Sequence, residues 1–209
     1  MFNHHVQAAL AAGRRRDLLA AAQAARLARQ ATPRRRGRAV LRDGSRVLIA
    51  PVRAGDAPLV AEVFARLSAR SRRMRYLRTK DELTPAELRY FTEIDHHDHE
   101  ALGAVALADG RGVGIARYVR SAEDPRAAEV AVTVVDEWQG RGLGAELVAR
   151  LSGRARAAGI CRFTALAAAD NVAVAGLARS FGAHPVRGEF GTVAYEIPLS
   201  PAAACGAAR

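Results

Sequence analysis

The sequence predicts a mixed α/β domain: a central twisted mixed sheet of about seven strands flanked by helices, preceded by a basic helical N-terminal arm. Three observations predict it. A β-branched run, Glu129-Val-Ala-Val-Thr-Val-Val135, ends in the acidic turn Asp136-Glu-Trp138, and a glycine-rich loop then opens an Ala/Leu-rich helix. The order along the chain reads strand, helices, three strands, helix, strand, helix, two strands, which folds into one sheet with helices packed on it. Half of the 209 residues are hydrophobic, enough for a core, yet no apolar run reaches the roughly 18 residues that a membrane span needs.

The elements follow in order. Residues 5–31 read as an Ala-rich helix by propensity, though poor in bulky apolar side chains. Thr32 to Gly37 reads as a linker from its proline, glycine and run of arginines. Arg46 to Val52 is a short strand. Asp56 is the expected N-cap, with Pro58 in the first turn, of a helix reaching Leu67. Ser68 to Leu77 is a basic helical stretch, and Thr84-Pro-Ala-Glu87 is a capping box that opens another helix. Two strands, 101–108 and 113–120, flank the hairpin turn Asp109-Gly110. Residues 127–135 form the next strand, and a helix over 140–158 is closed by Gly159. The strand 162–168 follows, joined to 127–135 by a right-handed parallel crossover. Asp170 or Asn171 then caps a helix ending near Gly182, and strands at 184–189 and 192–198 make a final hairpin. The expected organisation is an arm over 1–42, one domain over 43–199 and a disordered tail over 200–209.

Charge divides the chain the same way. Residues 1–42 hold ten arginines against the single acid Asp17, a net +9, leaving +2 of the total +11 for the rest. The arm therefore suits weak electrostatic contact with nucleic acid or an anionic surface. It lacks interleaved aromatics, which argues against base recognition. Cys161 and Cys205 are the only cysteines and show neither metal-ligand spacing nor a disulfide framework. A reducing cytoplasm is the resulting expectation, with no transmembrane segment and a monomer or homodimer.

The segment Gln139-Gly-Arg-Gly-Leu-Gly144 carries the chemistry. A glycine-rich turn at a helix N-terminus presents free N–H groups and the positive end of the helix dipole to an anion. The spacing differs from the dinucleotide fingerprint Gly-x-Gly-x-x-Gly. It fits Gln/Arg-x-x-Gly-x-Gly/Ala and resembles the acyl-coenzyme A loop of the GNAT N-acetyltransferase superfamily. Arg70-Ser-Arg-Arg-Met-Arg-Tyr-Leu77, Leu83-Thr84 with Tyr90-Phe-Thr-Glu-Ile-Asp95, Asp98-His99 and Ala128-Glu129 resemble, more narrowly, the Pat-type bacterial protein-lysine acetyltransferases. That resemblance implies acetyl-CoA as co-substrate and no metal. The amides of Gln139, Gly140, Arg141, Gly142, Leu143 and Gly144 would hold the pyrophosphate. The backbone of Val134 and Val135, with the side chain of Asn171, would hold the pantetheine arm.

A lysine amine has a pKa near 10.4 and arrives protonated, so acetylation requires a proton acceptor. Strand alternation puts Glu129, Ala131 and Thr133 on one face and the valines 130, 132 and 134 on the other, so Glu129 points away from the core. Five residues of strand separate Glu129 from Val134, about 17 Å at 3.3 Å each, the scale of a pantetheine arm. The resemblance implies the role of general base for Glu129, and partial burial would raise its pKa toward that task. The tyrosine that the family uses to protonate the leaving thiolate falls on Ala178, so that role is vacant. Tyr90 and Tyr195 remain as acids only by elimination. The cluster Asp95-His-His-Asp-His99 reads as a polar loop lining the acceptor cleft, in which Asp98 and His99 would shape the acceptor pocket. The expected function is N-acetyl transfer from acetyl-CoA to a primary amine, a protein lysine. Acetylation of a small amine or antibiotic is the alternative enzyme. A CoA-sensing or nucleic-acid-associated module is the alternative without catalysis.

Overall fold

The computed structural model describes residues 37–189 and 191–199; the arm helix expected over 5–31 and the tail over 200–209 lie outside them. The strands are β1 (Arg38–Val40), β2 (Arg46–Pro51), β3 (His99–Ala106), β4 (Gly112–Arg120), β5 (Ala127–Val134), β6 (Arg162–Ala168), β7 (His184–Arg187) and β8 (Thr192–Pro198). The helices are α1 (Ala57–Ala65), α2 (Ala69–Tyr76), α3 (Pro85–Thr92), α4 (Leu143–Ala157) and α5 (Val172–Ser180).

All eight strands form one sheet, ordered β1-β2-β3-β4-β5-β6-β8-β7. Only β5 and β6 run parallel, joined across α4 as the crossover rule requires. The count exceeds the expected seven by β1. It lies inside the segment read as arm and linker, and pairs Arg38 with Leu48 and Val40 with Arg46. Three residues beside an arginine run carry no alternation signal; β2 makes them a strand by offering an unpaired edge.

Local rules set the helix ends. Ser68 accepts the Ser71 N–H at the start of α2. Thr84 and Glu87 close the expected capping box of α3 in both directions. Asp56 departs from expectation: its carboxylate accepts the Arg53 N–H at 2.8 Å instead of capping α1.

The sheet has two covered faces. Leu143, Leu147 and Leu151 of α4 pack on Ala116, Tyr118, Val130 and Phe163, with α5 in the same layer through Ala178. The opposite face is covered by α1 to α3, through Val60 and Phe91 against Val52 and Ala101. Cys161, at the entrance to β6, is disulfide-bonded. The sequence shows no disulfide framework, and a single bridge leaves no spacing pattern by which it could have been read. Among the described residues, no helix is long and apolar enough to cross a membrane.

Candidate active site

The site grows from one irregularity of the sheet. β5 and β6 are in register only from Ala127, Ala128 and Glu129 to Arg162, Phe163 and Thr164. Beyond Glu129 the strands part, and β6 continues on β8 alone. The N–H of Val135 donates to the carbonyl of Val113 at 3.0 Å. The antiparallel alternation therefore turns the odd residues of β5 toward β4 and aims the backbone groups of Val132 and Val134 into the gap. Helix α2 touches both β5 and β6 across this opening, and its Arg73 lies 3.7 Å from Asp170 at the far rim.

At the end of the gap, Asp136–Trp138 form a 3₁₀ turn and Gly142, at φ 92°, becomes the N-cap residue of α4. Gly140 also has positive φ, 73°. That backbone region is open mainly to glycine. Among the described residues, the backbone N–H groups of residues 140–145 donate to no protein acceptor, and no side chain caps α4. A row of free amides thus converges at the positive end of a fifteen-residue helix, the arrangement that binds phosphate. The loop is braced from outside: the carbonyl of Arg141 accepts the Arg42 N–H at 3.1 Å.

The structure places each expected cofactor residue as follows. Gly140, Gly142 and Gly144 form the cradle, and a Cβ at Gly144 would meet Leu177 of α5 at 3.7 Å, an ordinary contact. Leu143 sends its side chain into the core, so only its amide is available. The Gln139 side chain donates to the carbonyl of Val134 at 3.1 Å and lies 3.3 Å from the Ser71 hydroxyl. With the Val135 N–H on β4 and the Val134 carbonyl on Gln139, the gap offers the N–H of Val134 and the backbone of Val132 to a ligand. Arg141 pairs with Asp43 at 2.9 Å and lies over the Trp138 ring, which anchors the loop to the β1–β2 turn. Asn171 accepts the Val174 N–H at 3.1 Å as the N-cap of α5, leaving its amide NH2 free.

Glu129 lies where the strands part, on the face with Ala131 and Thr133, opposite Val119 of β4. It is exposed, so the partial burial expected for a general base is not found. His99 pairs with the same Val119 from β3, which puts it on the Glu129 face, about 10 Å across two strand spacings. Its ring lies 5.1 Å from that of Tyr90 and its Nε2 is buried without a partner. Burial, and then the charge of Arg117, hold its pKa below 6.5. Asp98 spends its carboxylate on Arg120 at 2.6 Å and on His97 at 2.7 Å. The other histidines diverge, His96 to buried Glu100 and His97 to Asp98. Ala178 is buried in the core, so no acid stands at that position. Tyr195 is buried and Tyr90 half exposed.

Sequence reasoning missed two features. The first is a junction that locks α2 to the cofactor loop: Asp136 accepts the Ser68 N–H and the Ser68 and Ser71 hydroxyls at 2.7–2.9 Å. Burial alone would raise the Asp136 pKa, but these bonds together hold it below the usual value. The second is a half-open recess between α1 to α3 and the sheet, lined by Phe64, Tyr76, Phe91 and Thr133 together with Arg75 and Arg117. Only the arginine run at 70–78 hinted at it, and a run does not say which side chains turn inward.

A sheet that opens beside a helix N-terminus with free amides defines a class of protein, one that takes a phosphate-bearing ligand laid along a strand edge. The acetyltransferase (GNAT) domain model matches residues 46–184. The chain belongs to the GNAT acetyltransferase family, whose co-substrate is acetyl-CoA. It is 36% identical over 144 residues to Acetyltransferase PA5475 of Pseudomonas aeruginosa, covering 68% of this chain and 77% of that one. It is 37% identical over 118 residues to Acetyltransferase Pat of Mycolicibacterium smegmatis, covering 56% of this chain; the match spans only 35% of that relative's length. The solved GNAT domain of S. lividans PAT superposes with a TM-score of 0.73 at 28% identity, covering 77% of this chain and 95% of that chain.

Proposed function

We propose that this chain moves acetyl from acetyl-CoA to a primary amine by direct attack, with Glu129 as proton acceptor and a protein lysine as acceptor. The carrying observation is the row of unpaired amides at 140–145, set at the mouth of the gap whose far end holds Glu129. In this reading the diphosphate sits on the amides, and the pantetheine runs along Val134 and Val132. The thioester then arrives near Glu129. The attacking nitrogen becomes a far stronger acid once it bonds to the acetyl carbon. The amine, which has shed the proton of its ammonium form to water before attacking, then gives this second proton to the exposed Glu129 carboxylate, directly or through water. The adduct collapses by breaking its C–S bond, the CoA thiolate leaving and taking a proton from solvent. The N–H of Val132 or Val134 is placed to stabilise the oxyanion. The likeness to Pat-type relatives supports the lysine.

The test separates binding from chemistry. Calorimetry should register acetyl-CoA binding, and Glu129→Gln should leave that affinity within about twofold. The same variant should cut turnover by about 10²-fold or more, the usual contribution of a positioned base. Unchanged turnover at neutral pH removes Glu129 from the role; no heat with acetyl-CoA removes the site. A small amine that also carries an anionic group is the second reading, favoured by the two arginines that line the recess beside the strand.

A further inference from the structure

The recess beside Glu129 holds, among the described residues, two cations and no protein carboxylate paired with them. Among the described residues, neither Arg75 nor Arg117 makes an ion pair or a side-chain hydrogen bond with a protein group. The Nη1 of Arg117 is buried without a partner. The two guanidiniums are packed on rings: Arg117 lies 4.5 Å from the centroid of Phe91 and 5.1 Å from that of Tyr90, and Arg75 lies 5.1 Å from that of Tyr76. Burial, then the charge of Arg117, pull the Arg75 pKa down, which records how closely the two charges sit. Lys80, also at Tyr76, is already neutralised by Glu87 at 2.7 Å. His99, next to Arg117, adds no negative charge. Of the carboxylates, Glu129 on the strand edge is the one whose charge acts on Arg75, after the Tyr76 phenol. Two arginines against one carboxylate leave a site short of one negative charge.

Both guanidiniums are half-buried, and a fold does not gain by crowding like charges without counter-ions where each loses part of its hydration. Paired guanidiniums on aromatic supports match the flat fork of a carboxylate. We propose that Arg75 and Arg117 bind a carboxylate carried by the acceptor, so that the substrate is a primary amine with a carboxylate a short apolar spacer away. This deepens the acetyl-transfer reading and rests on it. The carboxylate belongs either to a free amino acid-like molecule or to an acidic residue beside the acceptor lysine, and both present the same group to the same fork.

The first test is binding without turnover. NMR titration of the full chain with 3-phenylpropionate should show saturation, with 3-phenylpropionamide at least about tenfold weaker. Arg117→Gln and, separately, Arg75→Gln should erase that preference while leaving the amide's affinity unchanged, which also shows that the recess is still formed. Equal binding of acid and amide, no binding of either, or variants that keep the preference would overturn the proposal. Acetyl-CoA calorimetry on the same samples reports on the parent reading separately. The second test finds the source by comparing KM for 6-aminohexanoate against its amide, and for a lysine peptide with glutamate against glutamine as neighbour. A preference of about tenfold in the first pair assigns a small amino acid, and in the second an acidic peptide. No preference in either pair overturns the proposal.

Discussion

Two glycines of the same helix should respond to alanine with opposite signs. Gly142 begins α4 at φ 92°, and a Cβ there meets Arg42 at 3.4 Å, ordinary contact. Space is therefore not the obstacle; backbone strain is, at about 1–2 kcal/mol for a left-handed alanine. Gly153 lies inside α4, where a Cβ finds only the Arg156 guanidinium at 3.9 Å. Alanine there should stabilise by about 0.5–1 kcal/mol by removing chain entropy from the unfolded state. For a protein of this size 1 kcal/mol moves Tm by about 2–4 °C. Gly153→Ala should raise Tm by about 1–4 °C and leave acetyl-CoA affinity unchanged. For Gly142→Ala the same 1–2 kcal/mol divides between two readouts. A loop that keeps its shape lowers Tm by about 2–8 °C. A loop that relaxes withdraws its amides and weakens acetyl-CoA binding by about 5- to 30-fold. Differential scanning calorimetry and isothermal titration measure both. A Gly142→Ala protein with unaltered Tm and unaltered affinity would refute the claim that this backbone conformation forms the cradle.

Three further outcomes are expected. The Lys80 bridge, then the Thr84 amide, hold the Glu87 carboxyl at about 2 against an ordinary 4.5. Its stabilisation, of order 1 kcal/mol after solvent screening, is therefore present above pH 4.5 and lost as pH falls toward 2; the Tm gap between wild type and Glu87→Gln should close across that window. His99 should titrate below pH 6.5 by NMR, so its neutral ring supports the fold at pH 7 and that support is lost on acidification; a midpoint at or above 6.5 contradicts the burial argument. Arg154 of α4 pairs with Glu100, whose side chain is 1% exposed. Arg154→Met should cost about 2–3 kcal/mol by stranding that carboxylate, and adding Glu100→Gln should recover part of the loss.

Local pattern determined much of this protein. The capping box at Thr84 and Glu87, the glycine turn at 109–110 and the alternation in β5 act within a few residues, so they were readable without a fold. The same alternation put Glu129 on the face away from the valines, where the structure has it. The unpaired amides at 140–145 follow from a helix start that no side chain caps, another local fact.

Tertiary structure decided the rest. Whether β1 is a strand depends on the edge that β2 leaves open. Whether Val134 offers its carbonyl depends on where Gln139 reaches, and whether Asp98 is free depends on Arg120, 22 positions along the chain. The facing of Arg75 on α2 toward Arg117 on β4 is set by how α1 to α3 pack on the sheet, and no spacing along the chain encodes it. Sequence fixes what each short segment prefers, because backbone sterics and local hydrogen bonds act over a few residues. Which charges end up neighbours, and which are left without a partner, is settled only when distant segments exclude water between them.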